Sequence, residues 1–156
     1  MVAPSSEPPN LAPENLTPPR HATTYRVIYG DTDTMGVAYH ANYLRWFEIG
    51  RTEMFRHLGM TYREIEARGV MLPVAEVHCK FIRSARYDDV ITIEATLDTS
   101  MRSGFKFLYR ILDEAGKHPG AGVEIANGWT THACLNTNGR VVRPPKFLTD
   151  LIRPAD

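Results

Sequence analysis

The stretch GDTDTMGVAYHANY, Gly30 to Tyr43, gathers two aspartates, a glycine and a histidine within one loop-length of chain. Carboxylates at alternate positions can hold a cation, attack an electrophile or act as general bases, and a nearby histidine adds a second proton carrier. A calcium-loop reading sets Asp31, Asp33 and Gly36 at the first, third and sixth positions of an EF-hand. It then puts Met35 at the fifth and Asn42 at the twelfth, where oxygen-rich and bidentate ligands belong, and it fails. A phosphatase reading, with Asp31 as nucleophile, Asp33 as acid and Asp88-Asp89 as a distant magnesium pair, needs a parallel sheet fed by repeated βα units. This chain offers one long helical pattern. The plain alternative is that both aspartates merely shape a turn, as aspartate readily does. For a single aspartate that is the better reading. For both together with Gly36 and His40 it weakens, because the loop delivers the chain to a helix start, where free N–H groups and the macrodipole favour developing negative charge. A carboxylate beside such a site suits acyl transfer.

The elements that position this corner follow from periodicity. Thr23 to Tyr29 is rich in β-branched and aromatic residues and reads as a first strand ending at Gly30. From about His40 to Leu58 the period becomes helical, with Tyr43, Trp46, Phe47, Gly50, Met54 and Leu58 on one stripe and Gly59 at the stop. Gly50 on that stripe predicts close approach to another backbone. Thr61 and Glu64 form a capping box for a short second helix closed by Gly69. Alternation then takes over: Ala75 to Phe81, Ile91 to Leu97, Phe105 to Ile111, and a long strand from Val123 to Leu135. Asn138-Gly139 predicts a hairpin into a short strand around Val141, and Pro144-Pro145 precede a small terminal helix from about Lys146 to Ile152. The order is an α+β plan, one largely antiparallel sheet against one principal helix. A single helix cannot cover a sheet of that size, so a homo-oligomer is expected.

Composition narrows the classes. Residues 1–22 are expected to be a flexible Pro-rich arm, since the first twenty positions hold six of the eleven prolines, and residues 23–156 a single domain. Eighteen basic and eighteen acidic side chains leave no global field for nucleic acid or an anionic membrane. There is neither a secretory leader nor an apolar run of membrane-spanning length, so a cytosolic protein is expected. Cys79 and Cys134 fall in apolar strand patterns without CxxC spacing and read as buried reduced thiols. His78, Trp129 and His132 read as facing residues of the sheet and not as catalytic groups, and Glu48, Arg51 and Glu53 as a structural polar network or ion pairs on the helix.

The segment YGDTDTMGVAYHANYLRWFEIGRTEMFRHLG resembles the opening signature of the hot-dog-fold acyl-CoA thioesterases of the 4-hydroxybenzoyl-CoA thioesterase type, including the bacterial branch associated with the Tol-Pal cluster. The similarity runs from about Thr23 to Val142 and takes in FIRSARYDDVITIEA. It implies a hot-dog fold, an antiparallel sheet of about five or six strands wrapped around one long central helix. By position it implies that Asp33 is the catalytic carboxylate, with Asp31 a supporting or turn-forming residue, and that the backbone N–H of His40 polarises the thioester carbonyl. Gly36, Tyr39 and Arg102 become the candidate substrate-binding residues. The family's strongly basic turn keeps only Arg102 here, with Lys106 nearby; Lys80, Arg83 and Arg86 form another cluster, of a kind more often simply solvated.

The resemblance therefore implies hydrolysis of a small or medium acyl-CoA to free acid and CoA, with Asp33 as nucleophile or as general base for water. Thiolate leaves readily, so neither a metal nor an organic cofactor is required. The substrate is an acyl-CoA or an acyl carrier protein thioester, and the assembly a homodimer or homotetramer. The rival function is a non-catalytic acyl-thioester binder of the same fold. A hot-dog dehydratase or hydratase lacks its own histidine-and-acid motif in this sequence.

Overall fold

The computed structural model describes residues 18–115 and 121–153. Most of the expected Pro-rich arm lies outside the described residues. Strand β1 spans Arg20–Arg26, and a 3₁₀ turn, Tyr29–Asp31, follows. The strand thus sits nearer the N-terminus than the expected Thr23 to Tyr29, because the Asp31 carboxylate draws the Ile28 N–H into the turn at 3.0 Å. Helix α1 spans Asn42–Leu58 and ends on Gly59 in the left-handed region. Helix α2 spans Tyr62–Ala67, and its capping box is present as expected: Thr61 Oγ1 accepts the Glu64 N–H and Glu64 Oε2 accepts the Thr61 N–H. Strands β2 (Val74–Phe81), β3 (Val90–Asp98), β4 (Phe105–Asp113) and β5 (Val123–His132) follow, then helix α3 (Lys146–Ile152). Asn138-Gly139 turns the chain as expected, but only an isolated bridge between Leu135 and Val141 forms there, not a strand.

The five strands make one antiparallel sheet in the order β1-β3-β4-β5-β2, wrapped on α1. Inward residues of β3 and β4 (Ile91, Ile93, Ala95, Leu97, Phe107, Tyr109, Ile111) meet Trp46, Phe47, Met54 and Phe55 of the helix. Phe47 lies flat on Tyr109 at 4.2 Å between centroids, and Phe55 meets Phe107 edge-on at 5.7 Å; such pairs add about 0.5–1.5 kcal/mol beyond area burial. Gly50 is a point of close approach, but to side chains and not to backbone. A Cβ there would lie 2.8 Å from Ile93 Cγ2 and 3.5 Å from Ala95 Cβ.

Below this aromatic layer runs a buried polar chain. His132 Nδ1 lies 2.9 Å from the Leu72 carbonyl, which only accepts, so Nδ1 carries the proton. Nε2 then accepts from Thr130 at 2.8 Å, and Thr130 accepts from the Tyr109 hydroxyl at 2.7 Å. Burial, above all, lowers the His132 pKa to about 4 and keeps the ring neutral. His132 is therefore an internal strut. His78 and Trp129 stack on each other across β2 and β5, 5.8 Å apart.

Strand β2 departs from its sequence pattern. Val74, Val77 and Phe81 are 48%, 44% and 49% exposed, so the described residues leave these apolar side chains of the strand half-uncovered. Cys134 is buried and Cys79 half-buried, both free, with burial raising the Cys79 thiol to about 11. No helix among the described residues is long and apolar enough to cross a membrane.

Candidate active site

The two aspartates of the corner do different jobs. Asp31 is 3% exposed, and its Oδ2 accepts the Tyr25 hydroxyl at 2.8 Å as well as the Ile28 N–H. Its main-chain carbonyl accepts the Tyr39 N–H at 2.7 Å and the Asn42 side-chain amide at 2.8 Å. Both ends of Asp31 are thus occupied in fixing the chain between β1 and α1. Burial and this bond to Asp31 together raise the Tyr25 pKa.

Asp33 stands at the tip of the small loop that this anchor holds. The bridge between Thr32 and Ala38 closes the loop, the Asp33 N–H reaches the Val37 carbonyl at 3.0 Å, and the Gly36 N–H reaches the Asp33 carbonyl at 3.0 Å. Gly36 has φ +74°, a conformation that a side chain would strain; a Cβ would meet nothing, so the backbone angle is what requires glycine. Asp33 Oδ1 accepts the Met35 N–H at 2.9 Å, and among the described residues Oδ2 has no partner. A second tie comes from the segment after β2. The Ala38 N–H donates to the Ala85 carbonyl at 2.8 Å, and the Ala85 N–H donates to the Tyr43 hydroxyl at 3.2 Å.

Between these segments lies a cavity of about 360 Å³, lined by Asp33, His40, Tyr43, Phe81, Arg83 and Ser84 among others. His40 precedes the first turn of α1. Its carbonyl accepts the Tyr43 N–H at 3.2 Å, while its own N–H has no partner among the described residues. Its ring packs against Tyr39 at 4.4 Å and, edge-on, against Phe81 at 6.4 Å. A residue whose carboxylate has one free oxygen and a residue whose backbone donor has no partner among the described residues thus line the same space. That pairing supplies an attacking or proton-accepting group and an electrophile for a carbonyl oxygen.

Of the expected residues, Asp33 and His40 come together in this cavity. Gly36 shapes the loop without lining it, and Tyr39 supports the His40 ring while remaining 46% exposed. Arg102 lies elsewhere, in a cavity of about 470 Å³ that it shares with Arg143 and Arg153. Sequence reasoning singled out neither of those two arginines, nor Ser84, Phe81 and Tyr43 as cavity walls. Of the cluster Lys80, Arg83 and Arg86, only Arg83 lines the cavity of Asp33. The signal for it is the FIRSAR segment, whose docking on the corner through Ala85 is a long-range contact.

Residues 27–152 match the family model described as the thioesterase-like superfamily. The acyl-CoA thioester hydrolase YbgC of Escherichia coli O6:H1 is 34% identical over 88 residues, 56% of this chain and 66% of that protein. Among solved structures, a hypothetical protein from Thermus thermophilus superposes with a TM-score of 0.76 at 30% identity, covering 84% of this chain and 95% of that one. The DHNA-CoA thioesterase of Staphylococcus aureus superposes with a TM-score of 0.75 at 26% identity, covering 84% and 85%. A single antiparallel sheet wrapped on one long helix, together with a family match that spans the Asp31–Tyr43 corner, makes this chain a hot-dog-fold member of the thioesterase-like superfamily.

Proposed function

We propose that the chain hydrolyses acyl-CoA thioesters in the cavity shared by Asp33 and His40. The observation that carries this reading is that Asp33, with one carboxylate oxygen unpartnered among the described residues, and His40, at the start of the long helix, line one 360 Å³ space. With the thioester oxygen on the His40 N–H, the carbonyl carbon turns toward Asp33. As the carbonyl is attacked its oxygen gains charge, and one prealigned donor there contributes about 3 kcal/mol to the transition state. Asp33 either attacks the carbon to give a mixed anhydride that water cleaves, or takes a proton from the attacking water; in both routes thiolate departs.

The Escherichia coli relative is an acyl-CoA thioester hydrolase and the Staphylococcus aureus neighbour a DHNA-CoA thioesterase, which supports a coenzyme A thioester as substrate. Three guanidinium groups around the second cavity, on Arg102, Arg143 and Arg153, supply positive charge suited to the nucleotide phosphates. Carrier proteins present the same pantetheine arm, so their thioesters are the second class to assay. The reading includes a cytosolic homodimer or homotetramer. Support for assembly comes from the exposed apolar residues of β2, an edge strand with one side of its ladder unpaired.

Thiol release from a panel of aliphatic, aromatic and carrier-bound acyl thioesters tests the proposal. Wild type is expected to turn over at least one class, and Asp33→Asn to lose roughly 10²–10⁴-fold in kcat. Equal rates for the two proteins would remove Asp33 from the mechanism.

A further inference from the structure

Arg83 is the one lysine or arginine that lines the cavity of Asp33 and His40. Arg83 follows β2 directly, and its backbone is tied to the sheet: the Ile82 and Arg83 N–H groups both donate to the Ile125 carbonyl, at 2.8 and 3.0 Å. Two residues on, Ala85 is tied to Ala38 and Tyr43. The backbone that carries Arg83 is thus held from both sides against the catalytic corner. Arg83 is exposed and, like several other arginines, has no acidic partner among the described residues; its place on the wall of this cavity is what sets it apart. Besides the polar Ser84 and His40, the remaining walls are apolar or aromatic: Met35, Val37, Ala38, Tyr43, Phe81 and Ile82. A guanidinium beside such walls offers paired donors that match a carboxylate or a phosphate.

We infer that Arg83 reads a carboxylate at the far end of the acyl group, making short dicarboxylic acyl thioesters the preferred substrates. This rests on the thioesterase reading of the same cavity. At 360 Å³ the space stands at the low end of ligand pockets, roughly 300–1,000 Å³. It accommodates a thioester and a short acyl chain, and not coenzyme A as a whole. With the thioester carbon at Asp33, the first phosphate of an extended pantetheine arm lies about 15 Å away by ordinary bond lengths. A carboxylate a few carbons along the acyl chain is the anion that fits within the space Asp33 and Arg83 share.

The test compares glutaryl-CoA with pentanoyl-CoA, equal in chain length and differing in the terminal carboxylate, after subtraction of spontaneous hydrolysis. Wild type is expected to favour glutaryl-CoA in kcat/KM. Arg83→Met is expected to lose roughly 10- to 100-fold on that substrate while staying within about twofold on pentanoyl-CoA, and Arg83→Lys to restore part of the loss. The same comparison on N-acetylcysteamine thioesters, which carry no phosphate, is expected to give the same ratio. An Arg83→Met effect that vanishes on the phosphate-free esters assigns Arg83 to a phosphate and overturns the inference. So does an equal loss on both acyl groups, or a wild type without preference. If wild type cleaves no thioester at all, the thioesterase reading itself goes; if it cleaves pentanoyl-CoA as well as glutaryl-CoA, only the role of Arg83 goes.

Discussion

The side-chain amide of Asn42, in the first turn of α1, donates to the backbone carbonyl of Asp31 at 2.8 Å in a buried setting. That bond joins the helix start to the loop carrying Asp33, so the separation of the Asp33 carboxylate from the His40 N–H depends on it. Asn42→Ala leaves the Asp31 carbonyl its second donor, the Tyr39 N–H, so the fold should survive at a cost of about 1–2 kcal/mol. Catalysis should suffer more, because displacement of a reacting group by about 1 Å can cost on the order of 10²-fold. Steady-state kinetics should show kcat falling roughly 10- to 100-fold with KM little changed. A rise in KM at constant kcat would assign Asn42 to binding instead. Asn42→Asp, which points a carboxylate at a carbonyl, should be worse than alanine.

The two acids of the corner should respond differently to the same small change. Tyr25 O–H and Ile28 N–H both donate to Oδ2 of Asp31, and an amide oxygen in that place accepts both. Asp31→Asn is therefore expected to keep activity within about tenfold of wild type, while Asp33→Asn loses roughly 10²–10⁴-fold. Circular dichroism and kcat measured on both variants check this. The reverse ranking would make Asp31 the chemical group and Asp33 the anchor.

Much of this arrangement was legible in the chain. Helical spacing from Tyr43 to Leu58 and alternation in β3 and β4 pick out most of the apolar core, although β3 also buries Thr92 and Glu94 on its other face and the helix buries Phe55 beside the stripe. The capping box at Thr61 and Glu64 is local chemistry and appears where the residues imply. Contacts between distant segments are less legible. Nothing near Gly50 in sequence says that its neighbour is the Ile93 side chain, and nothing near Arg83 says that Ala85 docks on Ala38. Strand β2 has a core-like alternation yet remains exposed, since sequence periodicity reports a buried face without saying whether the same chain or another buries it.

That exposure motivates a prediction about assembly. Val77 lies mid-strand on β2, 44% exposed, and with Val74 and Leu44 it lines a cavity of about 270 Å³ whose other walls are Arg45, Glu48, Arg51 and Thr130. If a second copy covers this edge, Val77→Arg forces a long charged side chain into the interface in place of a small apolar one, and its bulk disrupts the packing even if Glu48 pairs with it. Sedimentation equilibrium is expected to show wild type as a dimer or larger and the variant shifted toward a single chain. A wild type that sediments as one chain at high concentration would rule out this edge as an interface.

Acid should weaken the fold through His132. The ring is 3% exposed and neutral, with both nitrogens engaged by Leu72 and Thr130, and burial lowers its pKa from the ordinary 6.5 to about 4. Between those values the unfolded chain takes up the proton and the folded chain does not, so stability falls as pH falls. The contribution is fully present above pH 6.5 and lost by about pH 4, for a total of about 3 kcal/mol at 1.36 kcal/mol per pH unit. His132→Gln retains a donor for the Leu72 carbonyl and an acceptor for Thr130 but does not titrate. Urea unfolding midpoints measured from pH 4 to pH 7.5 should therefore drop more steeply for wild type than for the variant, since the carboxylates common to both cancel in the difference. Parallel curves would mean that His132 takes up its proton at the same pH in the folded and unfolded chains, so that burial does not hold the ring neutral.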